Sequence, residues 1–311
     1  MLQRVAINEQ EATPVSSEGS PWAILPKGRF SIVSKLTQGK RGVQGRKGAT
    51  VDLNGLYFVQ VLDANCQMNR VLIETRPEAG RTDLGPRRRF WIEPDLLYPL
   101  IKGASDFSSC YFEPRQPLFV IVPNRGITMD AYRAAIEQMD RLPKTREYLS
   151  TFDALLRNRS TYKLRMKGGP FYSIYNVGSY TFAPFKLIWA EQSGTFEAAV
   201  ASSADVPCVG SRPYVPDHKI FFVEFDAAEP AYYLCGLLNS PSVRELVESH
   251  NISIQVGNIF KHMSLPTFDA ADPDHVTLSD WVKRAHQVFD QKDRQYYLQK
   301  IAGLAERILQ K

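Results

Sequence analysis

The chain has 311 residues, of which 44% are hydrophobic, and its formal net charge is +5 with an isoelectric point near 8.9. This composition is typical of a globular protein with a core. The sequence shows neither a signal peptide nor an apolar run of the roughly 18 residues that span a bilayer, so we expect a cytoplasmic protein without a membrane segment. Because the excess positive charge is small, any binding of anions must come from local clusters of cations.

The four cysteines are far apart in the sequence, at Cys66, Cys110, Cys208 and Cys235. None of them has the spacing of a CxxC or Cys/His zinc site. We therefore expect reduced, mostly buried thiols.

The N-terminal part begins with residues 1–20, whose composition predicts a mobile lead-in, and its first apolar run is Trp22–Leu25. A basic segment with interleaved glycines and no acid follows; its cations are Lys27, Arg29, Lys35, Lys40, Arg41, Arg46 and Lys47. Glycine lets a backbone approach a phosphate closely, so the segment favours contact with phosphates. The alternative is a solvated basic loop, and the segment lacks the P-loop pattern.

The next elements are predicted from their residue patterns. Strands are expected at 56–62, after an Asn54-Gly55 turn, at 70–75 and at 118–122, and a helical turn is expected from Glu93 to Gly103. Thr128 is expected to open a helix that ends near Asp140, and a second helix is expected from Pro143 to about Leu156.

The central stretch combines cations and aromatic rings. Residues 157–167 carry five cations and no acid, and residues 168–192 contain six rings before a strand that begins near Lys186. We expect a strand, a tight turn near Asn176–Gly178 and then this second strand. Cations followed by rings suit phosphates and base faces. The alternative is a hairpin whose rings fill a core.

The C-terminal part alternates strands, loops and helices. Its strands are expected at 196–202 and 220–225, with a loop at 206–216 between them. Helices are expected at 230–238, at 242–250 and, capped by Thr277 or Ser279, nearly continuously over 277–311. One face of the last helix holds Tyr297, Ile301, Leu304 and Ile308. The sequence thus predicts an α+β fold, with a mixed twisted sheet, flanking helices and a C-terminal helical segment.

The chain lacks the usual catalytic motifs, including HExxH and GxSxG. A nuclease site remains an alternative if Asp205, Asp217, Glu224 and Lys219 assemble in space, with His218 as a general base. A partner-binding protein with solvated basic loops is a further alternative.

Several blocks in a fixed order resemble the target-recognition region of TaqI-like N6-adenine DNA methyltransferases from restriction-modification systems. The blocks are Trp22–Leu25, GRKGATVDLNGLYFVQV (45–61), YPLIKG (98–103), Ser160–Lys163, Gly169–Tyr172, Asn176–Pro184, Lys186–Trp189, LLNSP (237–241) and the segment from Gln255 to Pro266. The resemblance covers the chain from about Trp22 onward.

This resemblance implies a module that recognises a short DNA sequence. The Asn/Asp-Pro-Pro-aromatic motif and the glycine-rich cofactor loop of these enzymes do not occur in the sequence. We therefore expect no catalytic residue, metal or cofactor here, with S-adenosylmethionine on a separate adenine methyltransferase chain as partner. The sequence leaves open whether the chain alone is an enzyme. It also leaves open whether the chain is a detached specificity subunit or a fragment. The expected units are a lead-in (1–20), a recognition domain (21–268) and a linker with the C-terminal helix (269–311).

The expected partner is double-stranded DNA, which the chain would contact at its phosphates and at base edges in the major groove. The residues predicted to contact it are Lys35, Lys40, Arg41, Gln44, Arg46, Lys47, Arg159, Lys163, Tyr172, Tyr175, Tyr180, Arg212, His218 and Lys219.

Overall fold

The computed structural model describes residues 9–14, 22–26, 36, 43–249, 259–261 and 263–311. Helices and mixed sheets both occur in it, which confirms the α+β class. The strands are β1 (Gln10–Pro14), β2 (Trp22–Pro26), β3 (Arg46–Lys47), β4 (Phe58–Asn65), β5 (Arg70–Thr75), β6 (Arg89–Ile92), β7 (Leu97–Ile101), β8 (Phe107–Ser108), β9 (Tyr111–Phe112), β10 (Phe119–Ile121), β11 (Phe185–Ala190), β12 (Ala198–Ala201), β13 (Ser203–Val206), β14 (Gly210–Pro213), β15 (Val215–Pro216) and β16 (Ile220–Phe225). The helices are α1 (Asn54–Tyr57), α2 (Met129–Asp140), α3 (Pro143–Ser150), α4 (Asp153–Asn158), α5 (Ser160–Arg165), α6 (Ala228–Leu238), α7 (Pro241–Ser249), α8 (Pro273–Gln287) and α9 (Gln291–Gln310).

The larger sheet has six strands in the order β15-β7-β10-β4-β5-β6. Its neighbours pair antiparallel except for β15, which runs parallel to β7, so the sheet is mixed. Strand β7 is buried along its whole length. Met139, Leu149 and Leu156 from α2, α3 and α4 pack into the same hydrophobic cluster as this sheet. The helices thus cover the sheet and bury its apolar side chains.

The smaller sheet has the order β12-β11-β16-β3. Successive side chains of a strand point to opposite faces, and β11 follows this rule. Leu187 and Trp189 pack with residues of α6 to α9, whereas Ile188 and Ala190 join a separate cluster with Ile101 at the end of β7. Strand β11 is therefore buried on both faces, by the C-terminal helices and by the junction with the larger sheet.

The two sheets are connected where β3 leads through α1 into β4 and where β15 leads into β16. Ala49 and Thr50, which follow β3, form isolated bridges with Asp217 and Tyr175. The crossing is tight at Gly48, where a Cβ atom would lie 2.2 Å from the carbonyl oxygen of Asp217. Only glycine fits there, so this glycine serves the packing of the chain on itself.

The C-terminal helices differ in part from the prediction. Ile301, Leu304 and Ile308 are buried together, which confirms the predicted apolar face, and Tyr297 packs against the same cluster. The prediction of a nearly continuous helix is wrong, because one helix ends at Gln287 and the next begins at Gln291. The caps also differ from Thr277 or Ser279: Asp272 caps α8 and Asp290 caps α9 through their side chains.

Other predicted elements need correction. The helical turn expected at 93–103 is a single 3₁₀ turn followed by β7, the 206–216 loop contains β14 and β15, and the second helix is divided into α3 and α4. The strand expected before the Asn176–Gly178 turn is irregular apart from one bridge at Tyr175. In the lead-in, residues 10–14 form a strand paired with β2, and residues 1–8 and 15–20 lie outside the described residues.

The cysteines are not all reduced thiols. Cys66 and Cys208 form a disulfide, while Cys110 and Cys235 are free and buried. The disulfide joins the turn between β4 and β5 to the turn between β13 and β14. Among the described residues, no helix is long and apolar enough to cross a membrane.

Candidate nucleic-acid interface

A polar cleft opens where the two sheets meet, beyond the C-terminal ends of β7 and β11. Its volume is about 710 Å³. The lining residues come from five separate segments: Arg81, Lys102, Gly103, Ala104, Ser105, Asp106, Arg115, Gln116, Leu118, Ala190, Glu191, Gln192, His218 and Lys219. The fold therefore brings together cations that lie up to 138 positions apart in the sequence.

Asp106 shapes one wall of the cleft. Its Oδ2 atom accepts hydrogen bonds from the backbone N–H groups of Lys102 (2.7 Å) and Gly103 (3.3 Å). Its Oδ1 atom accepts one from the backbone N–H of Arg115 at 3.4 Å. Asp106 is buried, so one carboxylate fixes the backbone at two cationic positions of the wall.

Four cations line the cleft: Arg81, Lys102, Arg115 and Lys219. Within the described residues, no acidic side chain forms an ion pair with any of them. By contrast, Lys47 at the margin is neutralised by Glu191, at 2.6 Å. The carboxylate of Asp106 offsets one of these charges, and the cations still outnumber it, so the cleft attracts polyanions.

His218 lies between the cleft and the buried carboxylate of Asp217. The Nδ1 atom of His218 is 2.6 Å from Asp217 Oδ1, and the same oxygen accepts the backbone N–H of His218 at 2.7 Å. The arrangement orients the imidazole ring on the cleft wall.

The structure places the predicted DNA-contacting residues in several different settings. His218 and Lys219 line the cleft, and Lys47 reaches it through Glu191. Gln44 and Lys163 are exposed elsewhere, with Lys163 Nζ bonded to Asn158 Oδ1 at 2.5 Å. Lys35, Lys40 and Arg41 lie outside the described residues.

A second group surrounds the turn at Asn176, whose φ of 56° is left-handed. Tyr175 forms a backbone bridge with Thr50, and Tyr180 is partly buried. The guanidinium of Arg46 lies 4.5 Å from the centre of the Tyr180 ring and pairs with Glu224 at 2.8 Å. Arg46 and Tyr180 therefore already have partners within the protein.

Three predicted contacts need correction because their side chains serve the fold. Arg159 is only 4% exposed, and its guanidinium donates to four backbone carbonyl oxygens. Tyr172 is 6% exposed and belongs to the core of the larger sheet. Arg212 donates to the carbonyl oxygens of Asp95 and Leu97 and stacks on a tyrosine ring. Arg159 and Tyr172 are therefore buried inside the protein, and Arg212 is already bonded to the backbone beside β7.

Arg81, Arg115 and Gln116 were not among the predicted contacts, because they lie in loops outside the basic segments of the sequence. Lys102 belongs to the YPLIKG block, so this block gave a signal for one wall of the cleft.

The acids of the nuclease alternative are separated. Asp217 bonds to His218, Glu224 pairs with Arg46, and Asp205 lies in the β13–β14 hairpin. Over the described part of the chain, no group of three or more His, Cys, Asp or Glu residues is arranged to hold a metal ion. The geometry does not favour that alternative.

No protein-family model matches the chain, but its sequence and its fold are similar to those of known proteins. Over 158 residues the sequence is 28% identical to the Type II methyltransferase M.NspV of Nostoc sp. (strain ATCC 29411 / PCC 7524). This match covers 51% of the chain and 30% of the relative. The fold is similar, with a TM-score of 0.50 and 8% sequence identity, to the Type IIL restriction-modification enzyme MmeI, whose structure was solved in complex with DNA. That likeness covers 86% of the chain and 33% of MmeI, so the chain spans about a third of either protein.

Proposed function

We propose that the chain is the DNA target-recognition module of a restriction-modification N6-adenine DNA methyltransferase. The observation that carries the proposal is the cleft lined by Arg81, Lys102, Arg115 and Lys219, which form no ion pair with an acidic side chain among the described residues. The similarity to M.NspV and the shared fold with MmeI support it.

In this proposal the cleft holds the backbone of duplex DNA. Arginine offers a planar fork that matches a phosphate, and lysine offers a point charge. Each phosphate that is neutralised releases condensed counterions, so affinity comes largely from these contacts and falls with salt. Contacts with phosphates position the duplex, and contacts with base edges supply the sequence preference.

Methyl transfer would belong to a separate catalytic domain or chain, which would bind S-adenosylmethionine and act as the partner of this module. The sequence motifs for that chemistry do not occur in these 311 residues. We therefore propose binding of DNA, without methyl transfer, for the chain alone.

A salt titration of duplex binding tests the proposal. With four phosphate contacts, the affinity for a fluorescent duplex should fall by roughly two decades between 50 and 200 mM salt. The triple variant Lys102→Ala, Arg115→Ala, Lys219→Ala should reduce the slope of log affinity against log salt by about 3. Lys283→Ala, which removes an exposed cation from α8, is the matched control and should leave the slope unchanged. Absence of binding at low salt, or an equal effect of the control, would overturn the proposal.

A further inference from the structure

Two glutamines at the edge of the cleft are held by one arginine. Arg76 donates from one terminal nitrogen to Gln60 Oε1 at 3.3 Å and from the other to Gln116 Oε1 at 3.4 Å. The three residues line a cavity of about 240 Å³, and Gln116 and Leu118 also line the larger cleft. The two cavities therefore lie next to each other, with Gln116 and Leu118 between them.

Arg76 is itself fixed. Its Nε atom pairs with Glu78 Oε1 at 2.5 Å, its backbone N–H donates to Gly55 O at 2.8 Å, and its side chain is only 12% exposed. Glu78 also accepts from Arg87 at 2.7 Å. An arginine anchored on three sides loses little further freedom when it orients other groups.

This arrangement sets the orientation of both amides. A guanidinium only donates, so the glutamine atom that faces it must be the carbonyl oxygen. Each amide nitrogen is then directed away from Arg76, and each oxygen keeps a second lone pair. Gln116 is exposed and Gln60 is partly exposed, so both amides are accessible from the cavity.

We propose that Gln60 and Gln116 read base edges in the major groove, with Arg76 as their positioning residue. The amide offers one donor and one acceptor in fixed order, which matches the N7 acceptor and N6 donor of adenine. Cytosine presents a donor at N4. The amide nitrogen is also a donor, so the two groups could not form a hydrogen bond with each other. The inference rests on the proposed binding of duplex DNA and adds the residues and the base that set its specificity.

A selection from random duplexes tests the inference. The probe is a pool of 24-base-pair duplexes whose ten central pairs are randomised, and bound molecules are sequenced for the wild-type chain and for each variant. The wild type should enrich a motif containing adenine. Gln60→Ala and Gln116→Ala should each relax the preference at one such position by between about 5-fold and 150-fold. Arg76→Lys keeps the charge but loses the fork, so it should relax both positions.

A substitution that switches the base preference distinguishes a role of Gln116 in base recognition from a role in the structure. Gln116→Glu is nearly isosteric and can only accept, so it should shift the preference at its position from adenine to cytosine. Gln299→Ala, on α9, is the control and should enrich the wild-type motif. Because Gln116 is exposed, we expect the melting temperatures of its variants to stay close to that of the wild type.

The outcomes distinguish the two proposals. If the wild type shows no salt-dependent binding to the pool, the proposed function fails. If the wild type enriches a motif that the Gln60, Gln116 and Arg76 variants reproduce unchanged, binding stands and the assignment of base readers is overturned.

Discussion

The hydroxyl of Tyr57 donates a hydrogen bond of 2.6 Å to the carbonyl oxygen of Tyr172. Both side chains are buried, and burial raises the pKa of each to about 12. The bond ties the one-turn helix α1, which precedes β4, to the aromatic stretch that follows α5. Tyr172 therefore belongs to the core, whereas its neighbour Tyr180 stays partly exposed.

We expect Tyr172→Ala to lower the free energy of unfolding by about 3–5 kcal/mol, because a buried ring leaves a cavity. Tyr180→Ala should cost only about 1 kcal/mol, mainly through the lost contact with Arg46. Urea titrations followed by circular dichroism measure both values. Tyr172→Phe is the control and should stay close to the wild type. Equal stability of the two alanine variants would contradict the different roles of these tyrosines.

Arg159 should tolerate no other cation. Its donors meet the carbonyl oxygens of Val51, Leu156, Phe171 and Ser173 at 2.6–3.2 Å. The ammonium of lysine cannot reach four acceptors in one plane, so Arg159→Lys should destabilise the fold by about 3–5 kcal/mol.

The exposed Arg157 provides the comparison for Arg159. It forms a solvated pair with Asp153, so Arg157→Lys should change the unfolding free energy by less than about 1 kcal/mol. Thermal and urea unfolding measure both variants. If Arg159→Lys is as stable as Arg157→Lys while losing DNA affinity, Arg159 is a DNA contact after all.

Lys186 should make stability depend on pH. Burial lowers its pKa from 10.5 to about 7, although Glu224 lies opposite it in the β11–β16 pair. Between these values the unfolded chain binds a proton that the folded chain does not. The unfolding free energy should therefore rise with pH from about 7 toward 10, by up to about 1.4 kcal/mol per pH unit from this group.

Lys186→Met removes the titrating group and should flatten this rise. Urea midpoints at pH 7 and 9.5 measure it, below the range in which the buried tyrosines titrate. Lys163→Met, which replaces an exposed lysine, should keep the wild-type slope. If the wild type and Lys186→Met show the same change of midpoint between the two pH values, Lys186 does not titrate near 7.

The disulfide between Cys66 and Cys208 should contribute to stability through the unfolded state. Its partners are separated by 142 positions, so closing this loop removes much of the freedom of the unfolded chain. Dithiothreitol should lower the unfolding free energy by about 2–5 kcal/mol. The double variant Cys66→Ser, Cys208→Ser should show the same loss and no response to the reductant. Four titratable thiols in the unreduced, denatured protein would contradict the bond.

Local patterns were sufficient for the regular strands. The β-branched and aromatic runs at Arg70–Thr75 and Ile220–Phe225 predicted strands with the observed limits. Strand β7 was missed because Pro94 and Pro99 are typical of helix starts and breaks. Burial between β10 and β15 decides its conformation, and that burial involves residues far away in the sequence.

The candidate site was less predictable, because whether a cation is free to bind DNA depends on the groups that it contacts in the fold. Clusters of cations in the sequence marked Arg46, Lys47 and Arg159, which the fold neutralises or buries. The cations that stay without partners in the described structure, such as Arg81 and Arg115, stand alone in the sequence and meet only through the junction of the sheets. A pattern of charges along the chain does not show which carbonyl or carboxylate will lie opposite each of them.

The parallel pairing of β15 with β7 has a consequence for the order of folding. Val215 and Pro216 complete the edge of a sheet whose other strands lie between residues 58 and 121. During synthesis the larger sheet cannot be completed until the chain up to about residue 217 has emerged from the ribosome. Contacts this distant in sequence are typical of slow folding. A nascent chain arrested before β15 should therefore expose β7 to proteases and to chaperones, and the protection should appear in a single step once that strand has emerged.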